Sequence, residues 1–368
     1  MKVAVDITPI ASSPTIGTGK IIENLLGALE TRKEFDIGHY ASLSRGLLKN
    51  IQHKYPKVKA PAIPAKLSRI SWWFSQKIGL PLDLITDPAD AAISIGPLCL
   101  PLRHGKTLAI IADTTPITHP EWCEPESIFW FKARIEAIKK HADVVVAISH
   151  AVKNDLVKYL NLRPNQILVA YPGVTQNFLK PFPPSKLNAV KKKYKLPPSY
   201  LLFVGILAPR KNISRLTQAF SRLNPKIRNN TELLLVGPKG WGKTPKTSKN
   251  IRSLGFVPDG DLPALYALSQ GLVYPSLEEG FGFPIVEAFA TNTPVLTSNN
   301  SSMREIAKGA SILVNPRSTL SITRGLNELL SLNKSNKTKL IKAGKKRLKK
   351  FSFAKMADEL IRAIQELP

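Results

Sequence analysis

Residues 271–298 read GLVYPSLEEGFGFPIVEAFATNTPVLTS. A short apolar run, Gly271–Ser276, opens the stretch, and a second, Thr293–Ser298, closes it. Between them come a Gly-rich turn, then Pro284, then the spaced apolar residues of Ile285–Ala290. Proline suits the first position of a helix, where its missing N–H leaves no bond unmade. The stretch therefore reads as strand, turn, helix, strand. Its strands lack polar alternation, which is the pattern of a parallel sheet covered on both faces.

The same unit recurs along the chain. Further strand candidates are Val3–Ile7, Ala91–Ile95, Thr107–Ala112, Asp143–Ser149 and Gln166–Tyr171 in the first half. In the second half they are Tyr200–Gly205, Glu232–Gly237, Ile251–Val257 and Ser311–Asn315. Amphipathic segments such as Lys20–Leu29, Ala151–Leu160 and Ser214–Leu223 lie between them. A break falls at LKPFPPSKLNAVKKKYKLPPSY, where prolines oppose a sheet interior and lysines keep the segment solvated. The expected organisation is α/β, with two Rossmann-like, doubly wound domains facing each other across a cleft. The expected spans are residues 1–178, residues 179–350 and a final helix over 351–368. In such sheets ligands bind beyond the carboxyl ends of the strands.

Composition narrows the function. The chain has 368 residues, 43% of them hydrophobic, enough for two cores. Two cysteines, Cys99 and Cys123, give no disulfide framework and suit a reducing, cytosolic compartment. Asp6 interrupts the short N-terminal apolar run, against a signal peptide, and no stretch reaches membrane-spanning length. Lys and Arg number 53 against 26 Asp and Glu, a formal net charge of +27 that predicts an anionic partner. No acid occurs from Ile37 to Leu82, a window holding Arg45, Lys49, Lys54, Lys57, Lys59, Lys66, Arg69 and Lys77 with the aromatic cluster Trp72, Trp73 and Phe74. Acids are absent again from Lys334 to Lys355. Cations beside aromatics suit peripheral docking on an anionic bilayer. The charge also permits nucleic acid, but no nucleic-acid module is present.

Three motifs at strand ends carry chemistry. In TIGTGKIIENLLGAL, Gly17 and Gly19 let backbone N–H groups approach an anion at a helix N-terminus. In GILAPRKNISRLTQAF, Arg210 and Lys211 stand at the N-terminal side of a helix, where cations are disfavoured unless an anion lies between. In the opening stretch, Glu279 sits in the loop and Glu287 in the expected first turn of the helix, with Glu278 a solvated neighbour. The two glutamates fit a clamp on sugar hydroxyls, an acid/base pair, or acids at a helix dipole; a metal site is poorly supported without His or Asp nearby. Ser302 and Glu305 form a capping-box pattern.

The stretches GILAPRKN, VGPKGW, GFVPDGDLPALYALSQGLVYPSLEEGFGFPIVEAFA and TPVLTSNNSSMREIA occur in order and closely resemble the retaining glycosyltransferases of family 4, mannosyltransferase-like bacterial branch. DTTPITHPEW, VAISHAVKNDL and YPGV extend the resemblance into the first half. The resemblance implies a GT-B fold, with the sugar nucleotide held mainly by the second domain and with neither metal nor cofactor. It implies Arg210 and Lys211 at the donor diphosphate, Glu279 at the donor sugar and Glu287 at the ribose. Gly205, Gly280, Phe281, Gly282 and Phe283 would line the donor, and Gly255, Phe256 and Val257 the base. Asp113 joins Arg210, Lys211 and Glu279 as a catalytic candidate, although Ala112 stands where the family often has His. The final helix after Phe351 is expected to cross back onto the first domain. The expected donor is GDP-mannose, and the expected acceptor a glycan or lipid-linked hydroxyl at the inner face of the cell membrane. A non-catalytic nucleotide-sugar sensor is the competing reading, motivated by Ala112.

Overall fold

The computed structural model describes residues 1–366 except 13–16, 42–50, 61–64, 85, 97 and 242–247. The chain divides into two compact units, Met1–Gly173 with Ser352–Pro368, and Val174–Phe351. The change of unit falls at Gly173–Val174 rather than at 178/179. Phe178 is buried in the second unit, its ring edge-on to Tyr266 at 5.6 Å.

In the first unit, β1 (Lys2–Asp6), β2 (Asp36–Tyr40), β3 (Ala91–Ser94), β4 (Lys106–Ile111), β5 (Val144–Ala147) and β6 (Ile167–Val169) form one parallel sheet in the order β2-β1-β3-β4-β5-β6. Every residue of β3 and β5 is buried, as strands covered on both faces must be. Periodicity alone does not find β2, whose sequence DIGHY is short, polar and mostly partly exposed at the sheet edge. The order reverses between β1 and β3. There Asp6 accepts the N–H of Thr8 at 2.9 Å and of Gly96 at 2.8 Å, so this switch point is closed by the unit's own groups.

The helix Gly17–Glu30 buries Ile21, Ile22, Leu25, Leu26 and Leu29, one apolar stripe. The helix Phe353–Glu366 buries Phe353, Met356, Ala357, Leu360 and Ile364 and packs against it. Arg32 joins the two through the Asp358 carboxylate and, at 2.8 Å, the Ala354 carbonyl.

In the second unit, β7 (Tyr200–Val204), β8 (Glu232–Val236), β9 (Ile251–Gly255), β10 (Gly271–Tyr274), β11 (Val295–Ser298) and β12 (Ile312–Val314) are parallel in the order β12-β11-β10-β7-β8-β9. Counted within the unit this is 6-5-4-1-2-3, the dinucleotide-fold order, with its reversal between β7 and β10. The proline-rich break contains a helix of this unit, Pro184–Lys193, with Pro184 in its first turn. Lys186 and Lys193 hold it to Asp261 at 2.5 and 2.7 Å.

Candidate active site

The loops after β7 and β10 flank the switch point of the second unit. After β7 the chain passes Gly205 and makes a tight turn over Pro209–Lys211. Asn212, left-handed at φ 61°, then starts the helix Ile213–Ser221. The Asn212 amide donates to the carbonyls of Pro275 at 2.9 Å and Pro316 at 2.7 Å. The Leu277 N–H donates to the Arg210 carbonyl at 2.7 Å. The two loops are thereby fastened by the Asn212 side chain and one backbone bond, and their side chains meet in fixed register.

They meet on Glu279. Arg210 Nη1 lies 2.5 Å from Glu279 Oε2, and Lys211 Nζ lies 2.5 Å from Oε1. Tyr274, the last residue of β10, accepts from Lys211 Nζ at 2.6 Å and donates to Glu279 Oε1 at 2.8 Å. Lys211 and Glu279 are buried, with side chains 9% and 7% exposed, while Arg210 is 20% exposed. Burial alone raises the Glu279 carboxyl. The charges of Arg210 and Lys211, with hydrogen bonds from Lys211 and Tyr274, outweigh it and hold the group down at about 2. Two cations at a helix N-terminus call for an anion, and Glu279 supplies one from within the chain.

Glu279 is also fixed from behind. Its carbonyl accepts from Ser302 Oγ at 2.7 Å and Ser301 Oγ at 3.1 Å. Ser302 therefore does not cap its own helix. That helix, Ser301–Ala307, starts after Asn300 without a side-chain cap bond; the Asn300 amide donates to the Leu277 carbonyl at 2.7 Å instead.

Gly282 turns the chain into the helix Phe283–Ala290 at φ 99°, a conformation that favours glycine. Glu287 lies beyond the first turn of this helix rather than in it, so the helix has no acid at its start and a dipole role falls away. The Glu287 carboxylate is buried and accepts from Tyr266 Oη at 2.7 Å. Thr291 closes the helix through its hydroxyl, 3.0 Å from the Glu287 carbonyl, and Asn292 takes a left-handed φ of 57°. Each glutamate thus has a buried tyrosine partner. Neither tyrosine is conspicuous in sequence. Tyr274 ends an apolar strand with its ring stacked near Phe203, and Tyr266 sits on the apolar stripe of Leu262–Leu268, so both read as core.

The other expected donor residues have mixed settings. Gly205, Gly280 and Gly282 lie on these loops, and Phe283 is partly buried at the helix start. The Phe281 ring is core, packed 5.5 Å from that of Phe351. Gly255 ends β9 at φ 66°; beyond it Phe256 is 56% exposed and Val257 is buried.

The remaining candidates belong to the first unit. Gly17 and Gly19 lie in the first turn of Gly17–Glu30, Gly17 at φ 35° and Gly19 buried. Asp113 accepts the Thr115 N–H at 2.8 Å and the Thr115 hydroxyl at 2.5 Å, a local turn-capping arrangement. On the helix Ala65–Ile78, Trp73 and Phe74 are 37% and 54% exposed, with Lys77 Nζ 5.0 Å from the centre of a Trp73 ring. The Trp72 side chain lies outside the described residues, as do Arg45, Lys49 and the side chains of Lys66 and Arg69.

A groove of about 940 Å³ in this unit runs along β2 and the first residues of β1, lined by Asp36–His39 and Lys2–Ala4. Its charges are largely paired, Lys54 with Glu23, His39 with Glu30 and Lys59 with Asp87. Among the described residues, no group of three or more His, Cys, Asp or Glu converges as metal ligands would, and no helix is long and apolar enough to cross a membrane.

Comparison with known proteins places the chain among similar sequences and folds. Residues 186–347 match the family model of glycosyl transferases group 1. The matched span contains Arg210, Lys211, Tyr266, Tyr274, Glu279 and Glu287. The chain is 29% identical over 278 residues to O-antigen chain mannosyltransferase B of Escherichia coli, covering 73% of this chain and 72% of that protein. It is 27% identical over 239 residues to the serotype-specific mannosyltransferase WbdA of Escherichia coli, covering 61% of this chain but 29% of that much longer protein. Among solved structures, Anabaena HepE in complex with UDP and glucose superposes with a TM-score of 0.73 at 15% identity, over all of both chains. At that identity the likeness is one of fold. The similarities together support a glycosyltransferase with the GT-B fold.

Proposed function

We propose that the chain is a retaining, metal-independent hexosyltransferase of family 4, moving mannose from GDP-mannose to a hydroxyl of a glycan or lipid-linked acceptor. The observation that carries this reading is the set Arg210, Lys211, Tyr274 and Glu279 at the switch point of a dinucleotide-order sheet. Mannose is favoured by the two mannosyltransferases to which the chain is similar.

In this reading the donor diphosphate lies against Arg210 and Lys211, its sugar against Glu279 and its ribose against Glu287. The bond between the anomeric carbon and the phosphate oxygen breaks, and its electron pair stays on the leaving phosphate. The acceptor hydroxyl adds to the anomeric carbon on the same face and passes its proton to that phosphate. No protein nucleophile is used. Preorganised cations at the leaving group are the main source of acceleration, and losing one typically costs roughly 3 kcal/mol. Asp113, positioned by Thr115, is the catalytic candidate contributed by the first unit.

The acceptor side is proposed to dock on an anionic bilayer. Exposed Trp73 and Phe74 beside Lys77 supply an apolar anchor and a cation.

Thermal-shift screening against GDP, UDP, GDP-mannose and UDP-glucose tests the donor. Stabilisation by guanosine nucleotides, greatest with GDP-mannose, is expected. Absence of stabilisation by all four would refute the reading.

A further inference from the structure

We propose that Glu279 is an internal counter-anion that a nucleoside diphosphate must displace from Arg210 and Lys211, so that the site holds the intact donor in preference to its spent diphosphate. The inference rests on the nucleotide-sugar reading above and goes beyond it.

The geometry is that of a filled anion site. One carboxylate oxygen takes Arg210, and the other takes Lys211 and the Tyr274 hydroxyl. A carboxylate that bridges two cations through separate oxygens occupies them as a phosphate does. The three charged side chains are largely withdrawn from water, so their attraction is little screened. A diphosphate arriving at Arg210 and Lys211 therefore meets two cations that already share one counter-charge.

The displacement needs only a side-chain movement. The Glu279 backbone is tied by Ser301 and Ser302 to its carbonyl, and the Arg210 backbone by Leu277. Arg210 is the more exposed of the two cations and is the first able to turn towards a ligand.

Release of Glu279 leaves a buried carboxylate short of donors, which is costly. A nucleotide sugar offers it hexose hydroxyls, whereas the hydroxyls of a nucleoside diphosphate are those of the ribose, assigned above to Glu287. The same displacement is thus offset for the donor and not for the product. Glu279 becomes a discriminator between the two, and product release is favoured by return of the ion pair.

The test is calorimetric titration of the full chain with GDP, UDP, GDP-mannose and UDP-glucose. Glu279→Gln removes the competing charge while keeping the shape. It is expected to bind the cognate nucleoside diphosphate about tenfold more tightly than the unaltered protein, with a smaller gain or a loss for the nucleotide sugar. Glu279→Asp keeps a charge that no longer reaches both cations and is expected to shift affinity in the same direction by less. Melting temperatures and circular dichroism establish that each variant is folded; if Glu279→Gln is not, the Glu279→Asp titration decides. Equal or weaker diphosphate binding by a folded variant overturns the proposal while leaving the nucleotide-sugar reading intact. Failure of the unaltered protein to bind any of the four ligands overturns both.

Discussion

Replacing Lys211 by methionine keeps the length of the side chain and deletes its charge. In the intact protein the Glu279 carboxyl is held at about 2 instead of the ordinary 4.5, a difference worth about 3 kcal/mol at neutral pH. Burial opposes that shift, so Arg210, Lys211 and Tyr274 together contribute more than this net value. Arg210 and Tyr274 remain in the variant, so the expected loss is roughly 2 kcal/mol, well short of the larger penalties for fully orphaned buried charges. For a unit the size of Val174–Phe351 the melting temperature should fall by roughly 4–8 °C at pH 7. The pH dependence follows from the direction of the shift. A depressed folded value means that stability is fully present above the unfolded value and is lost as pH falls from about 4.5 towards about 2. Without Lys211 that loss is smaller, so the gap between variant and parent should narrow through this window. Scanning calorimetry at pH 7, 5 and 3.5 measures it. The double variant Lys211→Met with Glu279→Gln removes both charges and should recover much of the loss. A gap below about 1 °C at pH 7, or one independent of pH, would show that the ion pair does not hold Glu279.

Arg210→Ala should lower kcat by about a hundredfold or more, read by single-turnover transfer. Glu287→Ala should instead chiefly raise the Kd for the nucleotide sugar, since Glu287 is assigned to the ribose and has no phosphate contact in this reading. Trp73→Ala with Phe74→Ala should reduce co-sedimentation with vesicles containing anionic lipid, while leaving nucleotide binding unchanged. Gly237→Ala should destabilise the second unit, because the new methyl would lie 2.1 Å from the Gly205 carbonyl oxygen; chemical denaturation measures the cost.

Much of the architecture was legible in the sequence because parallel strands buried on both faces are continuous apolar runs. VVVA and ELLLV cannot be mistaken for loops. The edge strand Asp36–Tyr40 escaped because an edge needs no such run and only Tyr40 of its five residues is buried. The segment between the units read as a break because prolines and lysines dominate it. One proline is spent at a helix start, and the lysines reach Asp261, a partner distant in sequence. In the site, charge in the wrong place was the readable signal: acids in a basic chain, and cations at the wrong end of a helix. The pairing of Arg210 and Lys211 with Glu279 was not readable, since it depends on the two loops being fastened by Asn212 and Leu277. The tyrosines escaped for the opposite reason. Their rings obey the core pattern, and only the hydroxyl at the tip carries function.

The first unit is discontinuous, and this governs the order in which the chain can become complete. Val174–Phe351 is one uninterrupted stretch, whereas the first unit includes the helix Phe353–Glu366 packed on Gly17–Glu30. During synthesis that helix emerges only after the whole second unit, a delay on the order of 10–40 s at about 5–20 residues per second. The earlier-made unit is therefore the later one to finish. Its apolar surface must be sheltered on the ribosome while the second unit closes by itself. A premature stop near Phe351 would accordingly spare the second unit and cripple the first.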